Sequence, residues 1–327
     1  MKAPNPIDVV ELAYQLEGSD QDWLTNVMAA VRPLLEGGAG IVAYHYDIRT
    51  SHREWIAGAV SLDLTRQQID VVAKMLEVYE PADVNAIQVM PEPLGTLSEG
   101  SVQSGIPNPL DRADIRSYMA TIGASDSVAL RTIEPSGKGI VFCGFQRATR
   151  TYERRTKALW AKVSAHLAAG RRLREAARPV EVVLTPGGKV EHAEGEAKER
   201  PVREVLREAV VRQEKARGRV RREDPEAATE MWTALVAGRW SLVDQFERGG
   251  RRYVVARRNE QGCTDPRALG PRERDVVMLA ALGKSNKLIA YELGLSPSTV
   301  GSHLSSAMRK LGVASRIELM KALFAPR

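Results

Sequence analysis

The stretch from residue 267 to residue 321 constrains the fold more than any other part of the chain, because it contains a helix specified from start to end. Ser296 is a strong N-cap residue, and Pro297 suits the first helical position, where no backbone N–H is needed. Apolar residues then recur at helical spacing, at Val300, Leu304, Ala307, Met308 and Leu311. The opposite side carries small or cationic residues, at Ser298, Ser302, Ser305 and Arg309. A helix of this kind fits a DNA major groove.

A second helix is predicted immediately before it. Ile289, Ala290 and Leu293 form its apolar side, and Gly294 supplies a turn residue that is free to adopt positive φ. Two helices joined by a three-residue turn, with a further short helix in front of them, predict a helix-turn-helix.

Four short blocks of this region also follow a recognisable order and spacing. They are Leu269 with Arg272-Glu273; Gly283 with Ser285-Asn286-Lys287 and Ile289-Ala290; Ser296 with Thr299-Val300 and His303; and Lys310-Leu311-Gly312-Val313 with Arg316. These blocks resemble the LuxR-type (GerE-like) DNA-binding domain, over about a fifth of the chain. The resemblance implies a transcriptional regulator that docks its third helix in the major groove. It also implies that two such domains pair through the last helix, about Ser315–Phe324.

The same region provides the predicted DNA-binding residues. They are Lys284, Ser285, Asn286, Lys287, Ser298, Thr299, Gly301, Ser302, His303, Ser305, Arg309 and Lys310. The lysines and Arg309 are expected to contact phosphates, and Ser302 and Ser305 are expected to face bases, although serine has no bidentate geometry. Two positions depart from the family pattern: Gly301 stands where Lys or Arg is frequent, and Leu288 stands where an acidic residue is usual.

The charge of the chain is concentrated in this segment. Residues 265–327 contain 10 Lys and Arg against 5 Asp and Glu, which accounts for +5 of the overall net charge of +6. Phosphate neutralisation requires positive charge at the groove-binding motif. The remainder is nearly balanced and needs no polyanionic partner.

Composition excludes several other classes. Two isolated cysteines make no disulfide framework, and no apolar signal segment or membrane span is present, so a cytoplasmic protein with no membrane partner is expected. Histidines 45, 52, 166, 192 and 303 are scattered without metal-ligand spacing. No phosphate loop or nucleophile elbow occurs, so the sequence predicts no enzyme, no catalytic residue and no metal site, and it identifies no cofactor.

Residues 1–178 predict a first sensor domain. Helices are expected over 7–36, 65–79, 115–122 and 151–177, and strands over 39–46, 54–60, 128–133 and 139–145, with a long loop over 81–109. This order resembles a GAF-type sensor module. A small, mostly apolar ligand is expected between the sheet and the 81–122 segment, lined by Tyr44, Tyr46, Trp55 and Phe142. Phe142 and Cys143 face opposite ways, so at most one of them points inward.

Residues 179–262 predict a smaller domain. A hairpin over 180–193, helices over 201–218 and 224–237, and a second hairpin over 240–257 resemble a small PAS-like domain. Residues 263–327 complete the chain as the helix-turn-helix domain. The predicted fold class is therefore multidomain α+β: GAF-like and PAS-like antiparallel-sheet modules followed by an all-α domain.

Together these features predict a transcription factor whose sensor region changes how a dimer presents its helix-turn-helix domains to double-stranded DNA. RNA polymerase is an additional candidate partner. The main alternative is a regulator controlled by protein–protein contacts, with no small-molecule ligand. An enzyme with a DNA-binding tail would need a convergent polar cluster that the sequence does not display. The target sequence, the direction of regulation, the sensed signal and the role of the middle domain stay open.

Overall fold

The computed structural model describes residues 4–48, 50, 52–88, 92–134, 136–175, 179–246, 250–259, 269–311, 313–316 and 318–319. Its first half is built from α1 (Pro6–Ala13), α2 (Asp20–Leu35), β1 (Gly38–Asp47), α3 (His52–Ala57), β2 (Val60–Leu62), α4 (Arg66–Glu77), α5 (Pro81–Gln88), β3 (Leu94–Thr96), α6 (Leu97–Ser104), α7 (Ala113–Ile122), β4 (Asp126–Ile133) and β5 (Lys138–Gln146). The second half comprises α8 (Arg154–Glu175), β6 (Val180–Leu184), β7 (Val190–Ala193), α9 (Arg200–Lys215), α10 (Arg221–Glu223), α11 (Pro225–Met231), β8 (Trp240–Phe246), β9 (Arg252–Arg258), α12 (Pro271–Ala281), α13 (Asn286–Leu293) and α14 (Pro297–Leu311). Short 3₁₀ segments lie at Pro109–Asp111 and Gly195–Lys198.

The chain divides into two compact units. Unit 1 contains residues 1–4 and 18–164, and unit 2 contains residues 5–17 and 165–327. The predicted fold class is thus confirmed at the level of helices combined with antiparallel sheets and a helical C-terminal region. None of the helices in the described ranges is both long and apolar enough to span a bilayer.

Unit 1 is centred on a five-stranded antiparallel sheet with the order β2-β1-β5-β4-β3. Helix α2 packs against β1 and β5 on one face. Gly144 of β5 permits this close approach, because a Cβ there would lie 2.0 Å from the Leu35 carbonyl oxygen. Side chains alternate along each strand, so the other face is formed by a separate set of residues that α4 and α5 cover.

The sheet of unit 2 has four antiparallel strands in the order β7-β6-β9-β8. The amphipathic helix α9 packs on it through Leu206, Ala209 and Val210, which are buried against Val182 and Val254. Both predicted hairpins of this region are confirmed.

Two predicted elements of unit 1 were wrong. Residues 54–60 were expected to form a strand, but the chain forms α3 and only then the short β2. A short apolar run does not distinguish a helix from a strand, and here Trp55 is fixed by tertiary contacts: its Nε1 donates to the Asp47 carbonyl at 3.1 Å, and its ring packs against Tyr46.

The 81–109 segment was expected to be a loop but contains α5, β3, α6 and a 3₁₀ turn. Thr96 and Glu99 form a capping box at the start of α6, and Gly105 ends the helix with φ +68°. A Thr-x-x-Glu spacing followed by glycine predicts such a helix, so the sequence carried the signal.

The helices of the middle region also differ from the prediction. Helix α9 ends at Lys215 and is followed by a π-helical turn over Ala216–Val220, in which Gly218 has non-helical angles. Helix α11 ends at Met231 because Trp232 is extended, so residues 232–237 were wrongly predicted as helical.

Candidate functional site

The predicted helix-turn-helix is confirmed in geometry. Ser296 Oγ accepts from the Thr299 backbone N–H at 3.1 Å, as an N-cap should, and Pro297 begins α14. Gly294 ends α13 in the left-handed region with φ +63°. Helices α12, α13 and α14 therefore follow the predicted order with the predicted turn.

Helix α14 has one buried and one open face. Val300, Leu304 and Ala307 are buried, whereas four residues spaced along the opposite side are exposed, namely Ser298, Ser302, Ser305 and Arg309. No described residue lies within 4 Å of the position that a Cβ on Gly301 would occupy, so this face is also open at its centre. Thr299 and His303 are half-buried at its edge. The open face combines hydroxyl groups with one cation at the C-terminal end, which is a surface that a major groove can accept.

The orientation of α14 is set by Glu273 of α12. Its carboxylate accepts from Lys310 Nζ at 2.6 Å, from Ser306 Oγ at 2.7 Å and from the Gly270 backbone N–H at 2.9 Å. The hydrogen bond with Lys310, followed by those from Ser306 and Gly270, lowers the pKa of Glu273 to about 2. Lys310, a predicted DNA-binding residue, is therefore also a tether between α12 and α14.

Lys284 and Lys287 occupy different environments although both were predicted to contact DNA. Lys284 is buried, and its Nζ lies 2.7 and 3.0 Å from the two carboxylate oxygens of buried Glu292. Lys287 is exposed. Ser285 caps α13 by accepting from the Leu288 N–H at 3.2 Å, and Asn286 accepts from Arg316. The side chain of Lys287 is thus turned to solvent, whereas that of Lys284 is engaged within the domain.

Helix α13 is joined to the middle region of unit 2 by a buried hydrogen-bond chain that the sequence did not predict. Tyr291 Oη lies 2.7 Å from the Thr229 carbonyl, 2.8 Å from the Trp232 carbonyl and 2.8 Å from His166 Nε2. Tyr14 Oη lies 2.9 Å from His166 Nδ1. Burial lowers the pKa of His166 to about 3, so the imidazole is neutral at pH 7. A neutral ring satisfies the chain if Nε2 donates to Tyr291 and Nδ1 accepts from Tyr14.

A second contact joins the helix-turn-helix to the segment that follows α11. Arg272 of α12 donates to the Gly238 carbonyl at 2.8 Å and also to the Ala237 carbonyl. Gly294 lies so close to this segment that a Cβ on it would be 2.1 Å from the Leu235 carbonyl oxygen. The three-helix region is therefore docked on residues 229–238, and in the described part of the chain this docking leaves the outer face of α14 exposed.

Unit 1 contains a cavity of about 60 Å³ between its sheet and the helices α4 and α5. Three strands contribute side chains from one face of the sheet, which are Val42, Tyr44, Ser127, Ala129, Arg131, Val141, Cys143 and Phe145. The helical side is almost entirely apolar and consists of Val72, Met75, Leu76, Tyr79, Val84, Ile87, Gln88 and Leu97. This is the place where the sequence predicted a ligand.

Of the four predicted ligand residues, Tyr44 alone lines the cavity. Tyr46 has the same orientation but donates to the Thr132 carbonyl at 2.6 Å. The Trp55 ring stacks on Tyr44, with 6.4 Å between the ring centroids, and is not part of the cavity lining. Phe142 is fully buried on the opposite face of the sheet. Cys143 faces the cavity instead, as the alternation argument requires of one member of that pair. Arg131 was not predicted, although a lone arginine within the apolar strand segment Val128–Ile133 was a readable signal.

In the ranges that the structure describes, no cluster of three or more His, Cys, Asp or Glu side chains could hold a metal ion. The charged groups near α14 instead form pairs and caps.

Comparison with known proteins identifies the C-terminal domain. Residues 267–323 match the family described as bacterial regulatory proteins, luxR family. The chain is 44% identical over 70 residues to transcriptional regulatory protein UhpA of Escherichia coli (strain K12), covering 21% of this chain and 35% of UhpA. It is 33% identical over 88 residues to transcriptional regulatory protein FixJ of Rhizobium meliloti (strain 1021), covering 26% of this chain and 43% of FixJ.

A third match has a higher sequence identity over a shorter segment. Mb0914c of Mycobacterium bovis is 53% identical over 53 residues, which is 16% of this chain and 6% of that protein. The chain therefore covers less than half of each of these three curated relatives. The predicted LuxR-type helix-turn-helix is confirmed, and the likeness concerns this domain.

Proposed function

We propose that this protein is a transcriptional regulator that binds double-stranded DNA through α14 and is controlled by its sensor region. The observation that carries the proposal is the exposed face of α14, where Ser298, Ser302, Ser305 and Arg309 stand clear of the docked domain. The match of residues 267–323 to the luxR family supports the same reading. The serines are proposed to face base edges, and the cations Lys287 and Arg309 are proposed to contact phosphates.

The regulatory part of the proposal is supported by two features. The contacts of Tyr291 and Arg272 with residues 229–238 give the helix-turn-helix a defined orientation that a signal can change. Unit 1 supplies an apolar cavity in which a signal molecule can bind. We propose the domain organisation as GAF-like 1–178, PAS-like 179–262 and helix-turn-helix 263–327, which the two antiparallel sheets support.

Assembly as a homodimer is part of the proposal as well. Within the predicted pairing helix, Leu319 is fully buried, whereas Leu323 and Phe324 lie outside the described residues. A two-fold dimer would read an inverted repeat with half-sites about one helical turn apart. Contact with RNA polymerase stays a prediction.

The test is selection of bound sequences from a random DNA library by the purified full chain, followed by footprinting and native mass spectrometry. We expect a two-fold symmetric site and a dimer. Ser302→Ala should change the preference at one base position more than the overall affinity, and Ser117→Ala, which removes an exposed serine from α7 of unit 1, should leave this preference unchanged. Failure of the full chain to bind any DNA even at low salt would refute the proposed function.

A further inference from the structure

Arg131 is the single charged side chain among the described residues that line the cavity of unit 1. It lies on β4 and is only 5% exposed. Its Nε and Nη1 atoms are buried and have no hydrogen-bonding partner in the described part of the chain. Buried charged groups in folded proteins are usually paired. The Arg131 guanidinium departs from this rule, since no described residue pairs with these two atoms.

The surroundings of Arg131 do not neutralise it. The ionisable groups that interact with Arg131 are the thiol of Cys143 and the phenols of Tyr44 and Tyr46. Their anionic forms would stabilise the guanidinium, but these groups are uncharged at pH 7. Burial lowers the pKa of Arg131, yet an arginine in a protein stays protonated. The cavity therefore contains one uncompensated positive charge.

The rest of the lining is chiefly apolar. The helices contribute Val72, Met75, Leu76, Val84, Ile87 and Leu97, and the sheet adds Val42, Ala129, Val141 and Phe145. The neutral polar groups are few, and the Tyr79 hydroxyl is buried with no hydrogen-bonding partner in the described ranges. A ligand that fits this cavity has an apolar body and one anionic end.

We propose that the cavity binds a small organic monocarboxylate, with its apolar body between the sheet and α4–α5 and its carboxylate paired with Arg131. This inference deepens the proposed function, because it rests on unit 1 being the sensor. A planar guanidinium donates to both oxygens of a carboxylate. A phosphate dianion carries a second charge for which the lining offers no cation.

The volume limits the size of the ligand. About 60 Å³ corresponds to roughly four to six water molecules, so a single aromatic ring or a short alkyl chain suits it.

The experiment compares matched carboxylates and amides on the full chain. Benzoate, phenylacetate and hexanoate are titrated against benzamide, phenylacetamide and hexanamide by calorimetry, and the arginine Nε–H resonances are followed by NMR. We expect at least one carboxylate to bind saturably and roughly tenfold or more tightly than its amide. The Nε–H resonance that disappears in Arg131→Met should shift on binding.

The variants separate recognition from folding. Arg131→Met should lose the preference for carboxylates, while its melting temperature without ligand should equal or exceed that of the wild type, because an unpaired buried charge is removed. Arg66→Met, which removes an exposed arginine of the same unit, should bind as the wild type does. The inference is overturned if no carboxylate binds, if the wild type does not discriminate, or if Arg131→Met retains the preference.

DNA affinity, measured separately without ligand, distinguishes the two proposals. If the chain binds a carboxylate but no DNA, the proposed function is refuted and the proposed carboxylate site is retained. If the chain binds DNA but no carboxylate, the proposed carboxylate site is refuted and the DNA-binding proposal is retained.

Discussion

His166 Nε2 and Tyr291 Oη lie 2.8 Å apart, both fully or almost fully buried, and this pair connects the C-terminal part of α8 to the first helix of the helix-turn-helix motif. The Tyr291 hydroxyl also lies within hydrogen-bonding distance of two carbonyls at the end of α11. The position of the DNA-binding domain in unit 2 thus depends on a polar contact within an apolar interior, where a lost hydrogen bond is costly.

Tyr291→Phe should weaken this docking. Removal of the hydroxyl deletes its hydrogen bonds with the Thr229 and Trp232 carbonyls and with His166 Nε2 inside a buried region, which should lower the free energy of unfolding by about 1–3 kcal/mol. Hydrogen exchange of the full chain should become faster in α13. Tyr253→Phe, whose half-buried hydroxyl has one weak contact at 3.4 Å from Arg251, should leave this exchange unchanged. Equal exchange in the two variants would contradict the prediction.

Acid should destabilise unit 2 through His166. The pKa of His166 is about 3 in the folded chain against 6.5 for an ordinary histidine, so the unfolded chain binds an additional proton between these values. The contribution of the neutral histidine to stability is complete above pH 6.5 and decreases as the pH falls, by up to ~1.4 kcal/mol per unit. Urea unfolding at a series of pH values, monitored by hydrogen exchange in α13, should show this dependence of the free energy of unfolding on pH. His166→Gln should flatten it, and an unchanged slope would rule out this histidine as its source.

Gly294→Ala should separate the helix-turn-helix from residues 235–237. A Cβ at this position would approach the Leu235 carbonyl oxygen to 2.1 Å, in addition to the strain of a left-handed alanine. Gly123 is the matched control, because it also caps a helix with positive φ but no described residue lies within 4 Å of the position that its Cβ would occupy. Gly123→Ala should cost about 1 kcal/mol in the free energy of unfolding. Gly294→Ala should cost more and expose α13 to exchange, and a cost equal to that of the control would count against the docking contact.

Lys287→Ala should weaken binding to all DNA sequences to a similar degree. Its exposed ammonium group can release counterions from phosphates, so the slope of log affinity against log salt should fall by roughly one unit. Filter binding across a salt series measures this slope. Lys189→Ala removes an exposed lysine from the β6–β7 turn of the same unit and should leave the slope unchanged. A slope unaffected by Lys287→Ala would exclude the phosphate contact.

Lys284→Ala should act on stability instead. It removes the lysine that pairs with the buried Glu292 carboxylate, and breaking a buried pair in this way costs about 3–5 kcal/mol in the free energy of unfolding. Urea denaturation of the full chain measures the loss. Replacement of both partners, as in Lys284→Met with Glu292→Leu, should recover much of it, and a stable single variant would show that the pair has no structural role.

The helix-turn-helix was predictable from local sequence because its determinants are local. Ser296, Pro297 and Gly294 act on the backbone within a few residues, and the apolar stripe from Val300 to Leu311 has the helical period. Hairpins β6–β7 and β8–β9 were predictable for the same reason, since turn residues and alternation lie within one short segment.

The helical state of residues 54–57 was decided by tertiary structure. Residues 54–57 form a helix because Trp55 is held by Asp47 and packs on Tyr46, and neither contact is visible in a window of local sequence. The α6 helix is different: its capping box from Thr96 to Glu99 was present in the sequence and was overlooked within a Pro- and Gly-rich segment.

Some features of the candidate sites were likewise predictable from local sequence, and others depend on tertiary structure. Sequence alone determined which face of α14 is open, because helical periodicity assigns each residue to a side. It could not determine that Lys284 is engaged by Glu292 while Lys287 is free to face solvent, since both are lysines of one short motif. Only the folded chain places Arg131 in a cavity without a counter-charge and Tyr291 against His166. Burial and pairing depend on which distant segments come together. His166 and Tyr291 are 125 positions apart, so no local sequence pattern indicates that they are in contact.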